Sequence, residues 1–379
     1  MRPMRSLFLK VPSALRKGIQ LMMPSTAIAS GQPWESELVH EAQLRQRDDV
    51  PSICITDDLE GFQVIVHYQP RRKNRSRSSP LAVVSVPSWF AASSPPVELG
   101  RRRIWQVLGH WLPLLKSLSS SIDNEFSIRL DAGDLGVSSG DCLCMDSSDL
   151  ANVVPDLYAM ITYRSKPKAL PQLLDAHSFF RSFDAKLPSM LWRGSTTGGV
   201  IGQAGLHIGS LNDLWNNPRF QICKKLRGSH SAIDLALSRL VQIDEGLREA
   251  AKTELVNESI FSSEISESEI MAHRFYPDIP GNARAWGSLS KYLAGCLVFK
   301  PPSKRYLAYD PLLQPWRHFI PTAKDFSDLP EQVNWALKNH EEACWIAYRG
   351  FIAMHAYVHL IPDLMKAKAL AYANFSGYD

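Results

Sequence analysis

The sequence predicts an α/β protein built from two units with a cleft between them. The chain has 379 residues, which corresponds to two or three domains at roughly 150 residues each. Residues 61–68, GFQVIVHY, alternate and are rich in β-branched side chains, as strands are, while residues 102–119 have the pattern of a helix. Strand-like and helix-like segments alternate through much of the chain, and this alternation is typical of α/β folds.

The N-terminal half begins with strands. Residues 51–67 predict a strand, a turn and a second strand, and residues 81–87 predict another. The helix over 102–119 contains Pro113, which removes a backbone donor and predicts a kink. Residues 126–134 predict a strand that ends in a polar turn.

Helical patterns dominate the C-terminal half. Residues 169–188 predict a helix, and residues 189–199 predict a short strand that runs into a loop rich in glycine, serine and threonine. The variably polar stretch 229–269 predicts helical structure, and residues 287–300 predict a short helix and then a strand. The strongest helix signal spans residues 326–360, where apolar positions recur at helical spacing.

Composition excludes several classes of protein. Hydrophobic residues make up 45% and charged residues 21%, so the chain is neither disordered nor fibrous. A net charge of +4 is too small to indicate a nucleic-acid binder. The basic run 71–79 lies between two predicted strands without interleaved aromatic residues, so we interpret it as a solvated loop. Six cysteines are too few for a disulfide scaffold, and without a CxxC pair they predict buried, reduced thiols.

The first thirty residues are basic and amphipathic. Charged residues and Pro12 interrupt their apolar stretch, which leaves no signal-peptide core of useful length. No segment approaches the 18 apolar residues of a membrane span. We therefore predict an N-terminal arm on a cytoplasmic protein, with peripheral membrane contact through this basic segment left open.

The first candidate site is LWRGSTTG, Leu191–Gly198, at the end of a predicted strand. The guanidinium of Arg193 suits bidentate bonding to a phosphate, and a glycine-rich turn can present several N–H donors. The segment is neither a P-loop nor a dinucleotide fingerprint. A plain surface turn is the alternative. The other candidate phosphate contacts here are Gly194, Ser195 and Thr196.

The second candidate site lies within residues 278–303. Gly287 and Ser288 open a short predicted helix, whose N-terminus can receive an anion through free N–H groups and the helix dipole. Arg284 lies next to it and could add a full positive charge. The alternative is an ordinarily capped helix.

Two further segments carry single candidate residues. Asp134 follows a predicted strand and a tight turn, where clefts open in α/β sheets, although an aspartate in a turn is often only a turn former. Asp131 is equally acidic and lies three residues earlier. His318, among the aromatic and proline residues of 309–321, is either a ligand contact or a satisfied histidine in a rigid loop, and we favour the loop.

The segment from Lys291 to Gly350 resembles the C-terminal part of glycosyltransferase family 90. That family includes fungal capsule-associated xylosyltransferases, animal protein O-glucosyltransferases and bacterial lipopolysaccharide-modifying proteins. Three of the motifs that carry the resemblance are a glycine before an apolar strand, Gly295–Phe299, an L-x-P-W-x-H-F-I-P run, Leu313–Pro321, and a D-x-S-D-L run, Asp325–Leu329. The other two are the aromatic-Arg-Gly-Ser signature, Trp192–Gly198, and a donor loop, Pro280–Leu293.

The resemblance has two departures. Pro280 stands where bacterial relatives tend to have aspartate, so the acid of that motif is absent or is supplied by Asp278. Asp134 matches the acid of the family's catalytic-base motif, but Leu135 and Gly136 replace its aromatic residue and proline.

The resemblance implies a GT-B architecture, in which two Rossmann-like domains face each other across a cleft. We predict an N-terminal arm over residues 1–44 and an acceptor-side domain over 45–185. The donor-binding domain would span residues 186–344, and helices over 345–379 would pack back on the first domain.

The resemblance also implies an inverting, metal-independent transfer from a UDP-sugar, with Asp134 as general base. The absence of an Asp-x-Asp pair is compatible with metal independence. Glucose or xylose would go to a glycan, lipopolysaccharide or protein acceptor, as in lipopolysaccharide or capsule biosynthesis, with no cofactor. The alternative is an inactive glycan- or nucleotide-binding protein on the same fold. The implied donor-binding residues are Arg193, Gly194, Ser195, Thr196, Asn282, Arg284, Gly287, Ser288 and Lys291.

Overall fold

A computed structural model of the chain describes its regular elements and most of its C-terminal two thirds. The described residues are 39–40, 52–57, 63–69, 83–86, 90, 99–118, 126–134, 142–165, 173–198 and 207–375. The predictions for residues 1–30, for the basic run 71–79 and for Leu135 and Gly136 lie outside the described residues.

The described chain divides into two compact units. The N-terminal unit comprises the described residues up to 160 together with 305–308 and those from 359 onwards. The C-terminal unit comprises 161–304 and 309–358. Among the described residues, the first change of unit therefore falls between 160 and 161, whereas we expected a boundary between 185 and 186 from the sequence. The functional assignment of the domains stays a prediction.

The N-terminal unit contains a six-stranded mixed sheet in the order β1-β4-β2-β3-β5-β6. Strand β3 is antiparallel to β2 and to β5, and the other neighbouring strands are parallel. The sheet is therefore not the all-parallel sheet of a simple Rossmann unit. Its strands are β1 Val39–His40, β2 Ser52–Asp57, β3 Gln63–Gln69, β4 Val83–Val86, β5 Phe126–Asp131 and β6 Cys142–Cys144.

Two helices accompany this sheet along the chain. Helix α1, Leu99–Leu118, contains Pro113 as the sequence predicts and buries an apolar face that includes Trp111 and Leu108. Helix α2, Leu157–Ser165, carries the chain from the N-terminal unit into the C-terminal unit.

The C-terminal unit contains a five-stranded parallel sheet in the order β11-β10-β9-β7-β8. Helices alternate with its strands, and the four residues of β10 are all buried, as central strands of parallel sheets are. The strands are β7 Leu187–Ser195, β8 Ile233–Arg239, β9 His273–Pro277, β10 Leu297–Lys300 and β11 Ile320–Pro321.

Eight helices begin in this unit among the described residues. They are α3 Ala176–Asp184, α4 Leu211–Trp215, α5 Pro218–Leu226, α6 Arg248–Asn257, α7 Glu267–Met271, α8 Ser288–Leu293, α9 Leu329–Lys338 and α10 His340–Phe375. The last helix continues from the C-terminal unit into the N-terminal unit.

The predicted α/β class is confirmed, with two corrections to the elements. Residues 229–269 are not helical throughout, because they contain β8 before α6 and α7. The helix predicted over 326–360 is two helices, and Asn339, with φ of −107° and ψ of 51°, separates α9 from α10.

Candidate functional site

The strand order of the parallel sheet marks one place for a ligand. The next strand along the chain, β8, pairs with one edge of β7, and the strand after it, β9, pairs with the opposite edge of β7. In open α/β sheets, ligands bind outside the carboxyl ends of the strands at such a switch point. The loops that meet there are residues 196–198 after β7 and residues 278–287 after β9.

These two loops are joined by a hydrogen bond from a backbone N–H to a side chain, and their glycines lie close together. The N–H of Gly198 donates to Oδ1 of Asn282 at 3.0 Å. Gly198 has φ of +104°, and a Cβ there would lie 3.3 Å from the carbonyl oxygen of Gly281. The backbone conformation therefore favours glycine at position 198, and a Cβ there would also be in tight contact with the second loop.

Arg219, which the sequence analysis missed, ties the two loops together. From α5, its Nη1 donates to the Ser195 carbonyl at 3.2 Å and to Oγ1 of Thr197 at 2.7 Å. Its Nε and Nη2 donate to the carbonyls of Pro280 and Ile279 at 2.9 and 3.2 Å. One guanidinium therefore holds the β7 loop and the β9 loop at a fixed separation.

The environment of Arg219 keeps it charged at neutral pH. Burial lowers the pKa of its guanidinium to about 10, which still leaves a cation at pH 7. The guanidinium lies 5.4 Å from the centroid of the Trp192 ring, a favourable cation–π distance. A Cβ at Gly194 would lie 2.1 Å from the same ring, so Gly194 makes room for Trp192. Asn217 and Pro218 mark the start of α5 in the sequence, but nothing local links Arg219 to the two loops.

Thr196 has a structural role in the β7 loop. Its buried hydroxyl donates to the Val241 carbonyl at 2.7 Å and accepts from the Val241 N–H at 2.9 Å. Its own carbonyl accepts from Nδ2 of Asn217 at 2.7 Å. The neighbouring Ser195 and Thr197 are half-buried, with their hydroxyl oxygens 3.3 Å apart. Of the predicted hydroxyl contacts in this loop, Ser195 is better placed for a ligand than Thr196.

The prediction that the Arg193 guanidinium stands at the strand tip is wrong. Both of its terminal nitrogens donate to the Asp234 carboxylate at 2.9 Å, and Nη1 also donates to the Trp192 carbonyl. Asp234 lies opposite Leu191 on β8, two residues back along β7. The side chain therefore points away from the carboxyl end of the strand, where its charge is already paired.

The predicted cation Arg284 belongs to a buried charge network. It lies 3.4 Å from Asp278 and 3.5 Å from Asp310. Lys300 pairs with the same two carboxylates, so two cations and two anions balance one another. Burial lowers the pKa of Lys300. Asp278, the residue we considered as a replacement for the acid of the donor-loop motif, lies within this network directly after β9.

The helix after this network is not a free anion site. Helix α8 has only six residues, and Ser288 donates its N–H to the Ala285 carbonyl at 3.0 Å and its hydroxyl to Asp278 at 2.6 Å. Lys291 pairs with Glu267, and its Nζ lies 3.5 Å from where a Cβ of Gly287 would be. The Gly287–Ser288 turn and Lys291 therefore have protein partners here, and the donor contact expected of them stays a prediction.

Asp134 lies in the N-terminal unit, three residues beyond the end of β5. It is half-buried, and its Oδ1 lies 2.6 Å from Nη1 of Arg103 on α1. Asp131, the last residue of β5, is buried and accepts the N–H of Gly133 at 2.7 Å. Of the two carboxylates, Asp131 closes the turn and Asp134 projects from it.

Other predicted features have structural roles. His318 accepts the N–H of Gln314 through Nδ1 at 2.9 Å, which confirms the rigid-loop interpretation.

The described cysteines are buried and not disulfide-bonded: Cys142, Cys144, Cys223, Cys296 and Cys344. In the described part of the chain, no three or more His, Cys, Asp and Glu side chains group as a metal site. Among the described helices, none is both long and apolar enough to cross a membrane.

Comparison with known proteins finds a family whose model matches part of the chain. Residues 225–378 match the model of glycosyl transferase family 90, which confirms the resemblance over that range. Protein O-glucosyltransferase 2 of Danio rerio is 32% identical over 137 residues, which cover 34% of this chain and 27% of that protein. Protein O-glucosyltransferase 3 of Homo sapiens is 33% identical over 82 residues, covering 22% of this chain and 16% of that protein. The matched parts thus span less than a third of each relative.

Likeness to solved structures is more distant. Anabaena HepE, crystallised in complex with UDP-glucose, has a TM-score of 0.33 and 10% identity, and the match covers 70% of this chain and 76% of that one. The C-terminal domain of the Francisella tularensis glycosyl transferase LpcC has a TM-score of 0.29 and 10% identity, covering 48% of this chain and 92% of that one. At these scores the likeness carries no functional weight.

Proposed function

We propose that the protein is a glycosyltransferase that moves a sugar from a UDP-sugar to an acceptor hydroxyl, because residues 225–378 match the model of glycosyl transferase family 90. The observation that carries this proposal is the pair of glycine-containing loops at the switch point, bridged by the half-buried cation of Arg219. Glycines at 198 and 281 allow the close backbone approach that phosphate recognition commonly uses.

The donor diphosphate would lie beside Arg219. A guanidinium has five N–H donors. Four of the Arg219 donors reach protein oxygens among the described residues, which leaves one Nη2 hydrogen for a phosphate oxygen. Ser195 and Asn282 stand on the two loops on either side and complete the proposed donor contacts. The charges of Arg193, Arg284 and Lys291 are paired with carboxylates, so their proposed contribution is to shape the site.

The proposed transfer is one displacement. The acceptor oxygen forms a bond to the anomeric carbon while the bond from that carbon to the diphosphate oxygen breaks, and UDP leaves with the electron pair. The acceptor proton passes to Asp134, which acts as the general base. A single displacement inverts the anomeric configuration. Charge that develops on the leaving diphosphate is met by Arg219 and backbone N–H groups, which supports metal independence as part of the proposal.

The remaining features are proposed from the family. Glucose and xylose are the first donor sugars to test, and the acceptor is a glycan, a lipopolysaccharide or a protein. No cofactor beyond the donor is proposed. A cytoplasmic location with peripheral membrane contact through residues 1–30 also remains a proposal, because that segment lies outside the described residues.

A donor screen tests this proposal. Calorimetric binding of UDP, UDP-glucose and UDP-xylose would be followed by assays of UDP release with and without acceptor, each in the presence and absence of EDTA. We expect UDP binding, release of UDP from one donor, and activity that persists in EDTA. NMR of the product would report the anomeric configuration.

Three outcomes would change the proposal. Binding of UDP without turnover of any donor would favour the inactive binding protein. Failure to bind UDP and every UDP-sugar would remove the donor site at the switch point. Activity that EDTA abolishes and Mn²⁺ restores would contradict metal independence while leaving the transfer in place.

A further inference from the structure

We propose that Arg103 is a positioning residue that orients the Asp134 carboxylate for proton abstraction. The inference rests on the proposed function, in which Asp134 is the general base. It adds a residue outside the family motif, 31 positions earlier in the chain and on a different element.

The geometry of the pair supports this role. Arg103 is the fifth residue of α1, and its Nη1 donates to Oδ1 of Asp134 at 2.6 Å. The exposed fractions of the two side chains are 22% and 32%, so the pair is partly withdrawn from water but can still be reached from it. A charge-assisted hydrogen bond of this length is stronger than a neutral one and restricts the rotation of the carboxylate.

The position of Asp134 in the loop explains why it needs an anchor. Strand β5 ends at Asp131, and the tight turn there is closed by the Asp131 carboxylate and the N–H of Gly133. Asp134 comes after that turn, beyond the sheet hydrogen bonds that hold β5. Helix α1 offers a rigid attachment for this loop because its apolar face is buried. Arg103 therefore connects a loop carboxylate to a fixed element.

The chemistry of the two groups suits the division of roles. A general base has to be ionised and held within hydrogen-bond reach of the hydroxyl proton. A guanidinium carries only donors and stays protonated, so Arg103 can hold the carboxylate without competing for that proton. Misplacement of a catalytic group by about 1 Å can cost roughly 100-fold in rate. A change at Arg103 is thus expected to appear in kcat rather than in donor binding.

Arg102 provides the matched control. It is the preceding residue of the same helix, carries the same charge and is exposed. Arg102→Gln removes one positive charge from the same turn of α1. A general loss of positive charge would affect Arg102→Gln and Arg103→Gln alike, whereas a specific orientation of Asp134 would affect only the second.

The test is a double-mutant cycle on sugar transfer with Arg103→Gln, Asp134→Asn and the double variant. We expect Arg103→Gln to lower kcat by roughly 10- to 100-fold while the donor KM and UDP affinity stay within about twofold. Asp134→Asn should lower kcat further, and Arg103→Gln should have no added effect in that background. Arg103→Lys should recover part of the lost rate, and Arg102→Gln should keep it.

The outcomes distinguish this inference from the proposed function. If the fold-decreases in kcat of the two single variants multiply in the double variant, the positioning role is overturned. A decrease in kcat for Arg102→Gln as large as that for Arg103→Gln would also overturn it. Full activity in Asp134→Asn would remove the proposed base and the positioning role with it, and an inactive wild-type protein would overturn the transfer itself. If Arg103→Gln fails to fold, the same cycle with Arg103→Lys decides, because that variant keeps the charge and loses only the guanidinium geometry.

Discussion

Substitution of Arg219 is the most direct test of the proposed donor site at the switch point. Arg219→Gln removes a cation and four hydrogen bonds that hold the β7 and β9 loops together. One lost hydrogen bond from the guanidinium to a phosphate is worth about 1.5–3 kcal/mol. At about 1.4 kcal/mol per tenfold, UDP affinity should fall by roughly 10- to 150-fold. Loss of the fixed loop separation would add to this figure.

The assay is calorimetric titration with UDP, with thermal unfolding measured on the same variants. Arg219→Lys keeps the charge, but a single ammonium cannot reach all four oxygens, so we expect it to recover only part of the UDP affinity. Arg193→Gln is the comparison, because it removes an arginine whose charge is paired with Asp234 on the neighbouring strand. It should lower the unfolding temperature and change UDP affinity little.

One result would refute this reasoning. If Arg219→Gln binds UDP as tightly as the wild type while Arg193→Gln binds it at least tenfold more weakly, the diphosphate lies at Arg193. In that case the Arg193–Asp234 pair would have to open when the donor binds, and the assignment made from the sequence motif would be the correct one.

Three further predictions follow from single positions. Asp134→Asn should cut transfer by roughly 10²- to 10⁴-fold with UDP affinity nearly unchanged, and Asp131→Asn should do much less; the reverse result in a rate assay would move the base by three residues. Gly198→Ala should lower the stability by about 1–2 kcal/mol because φ is +104°, and it should also weaken UDP binding. Gly246→Ala places a Cβ with nothing within 4 Å, so melting and titration experiments should show no loss of stability or of UDP affinity. Burial raises the pKa of Asp156 from 3.8 to about 7, so the folded state binds this proton more tightly than the unfolded state, and stability falls as pH rises from about 4 to 7. Asp156→Asn should therefore raise the melting temperature more at pH 8 than at pH 5. An equal gain at both pH values would contradict this.

Local sequence signals predicted much of the fold. The strands β2 to β5 and the helix α1 follow from alternation and helical spacing, and both depend only on neighbouring residues. The stretch 229–269 was predicted wrongly because β8 contains leucine and alanine, which also favour helices. Strand β8 forms because its backbone pairs with β7, and such pairing between distant segments is not visible in a local pattern.

The site was less predictable than the fold for the same reason. The positions of the loops after β7 and after β9 were both predicted, because glycine and serine mark turns locally. Arg219 contacts residues 60 and 61 positions away, and Arg193 pairs with a residue 41 positions away. A motif shows that an arginine is present, but the partner across the sheet decides whether its charge remains available.

The path of the chain between the two units has a consequence for how this protein can be dissected or recombined. Residues 305–308 belong to the N-terminal unit although both neighbouring segments belong to the C-terminal unit, and α10 begins in one unit and ends in the other. A single cut therefore cannot release either unit intact, and a fragment covering 161–358 would include residues 305–308, which belong to the other unit. The family match over 225–378 crosses both units in the same way. Chimeras that exchange either unit with another protein would have to exchange several non-contiguous segments together, so neither unit can be transferred as one continuous stretch of sequence.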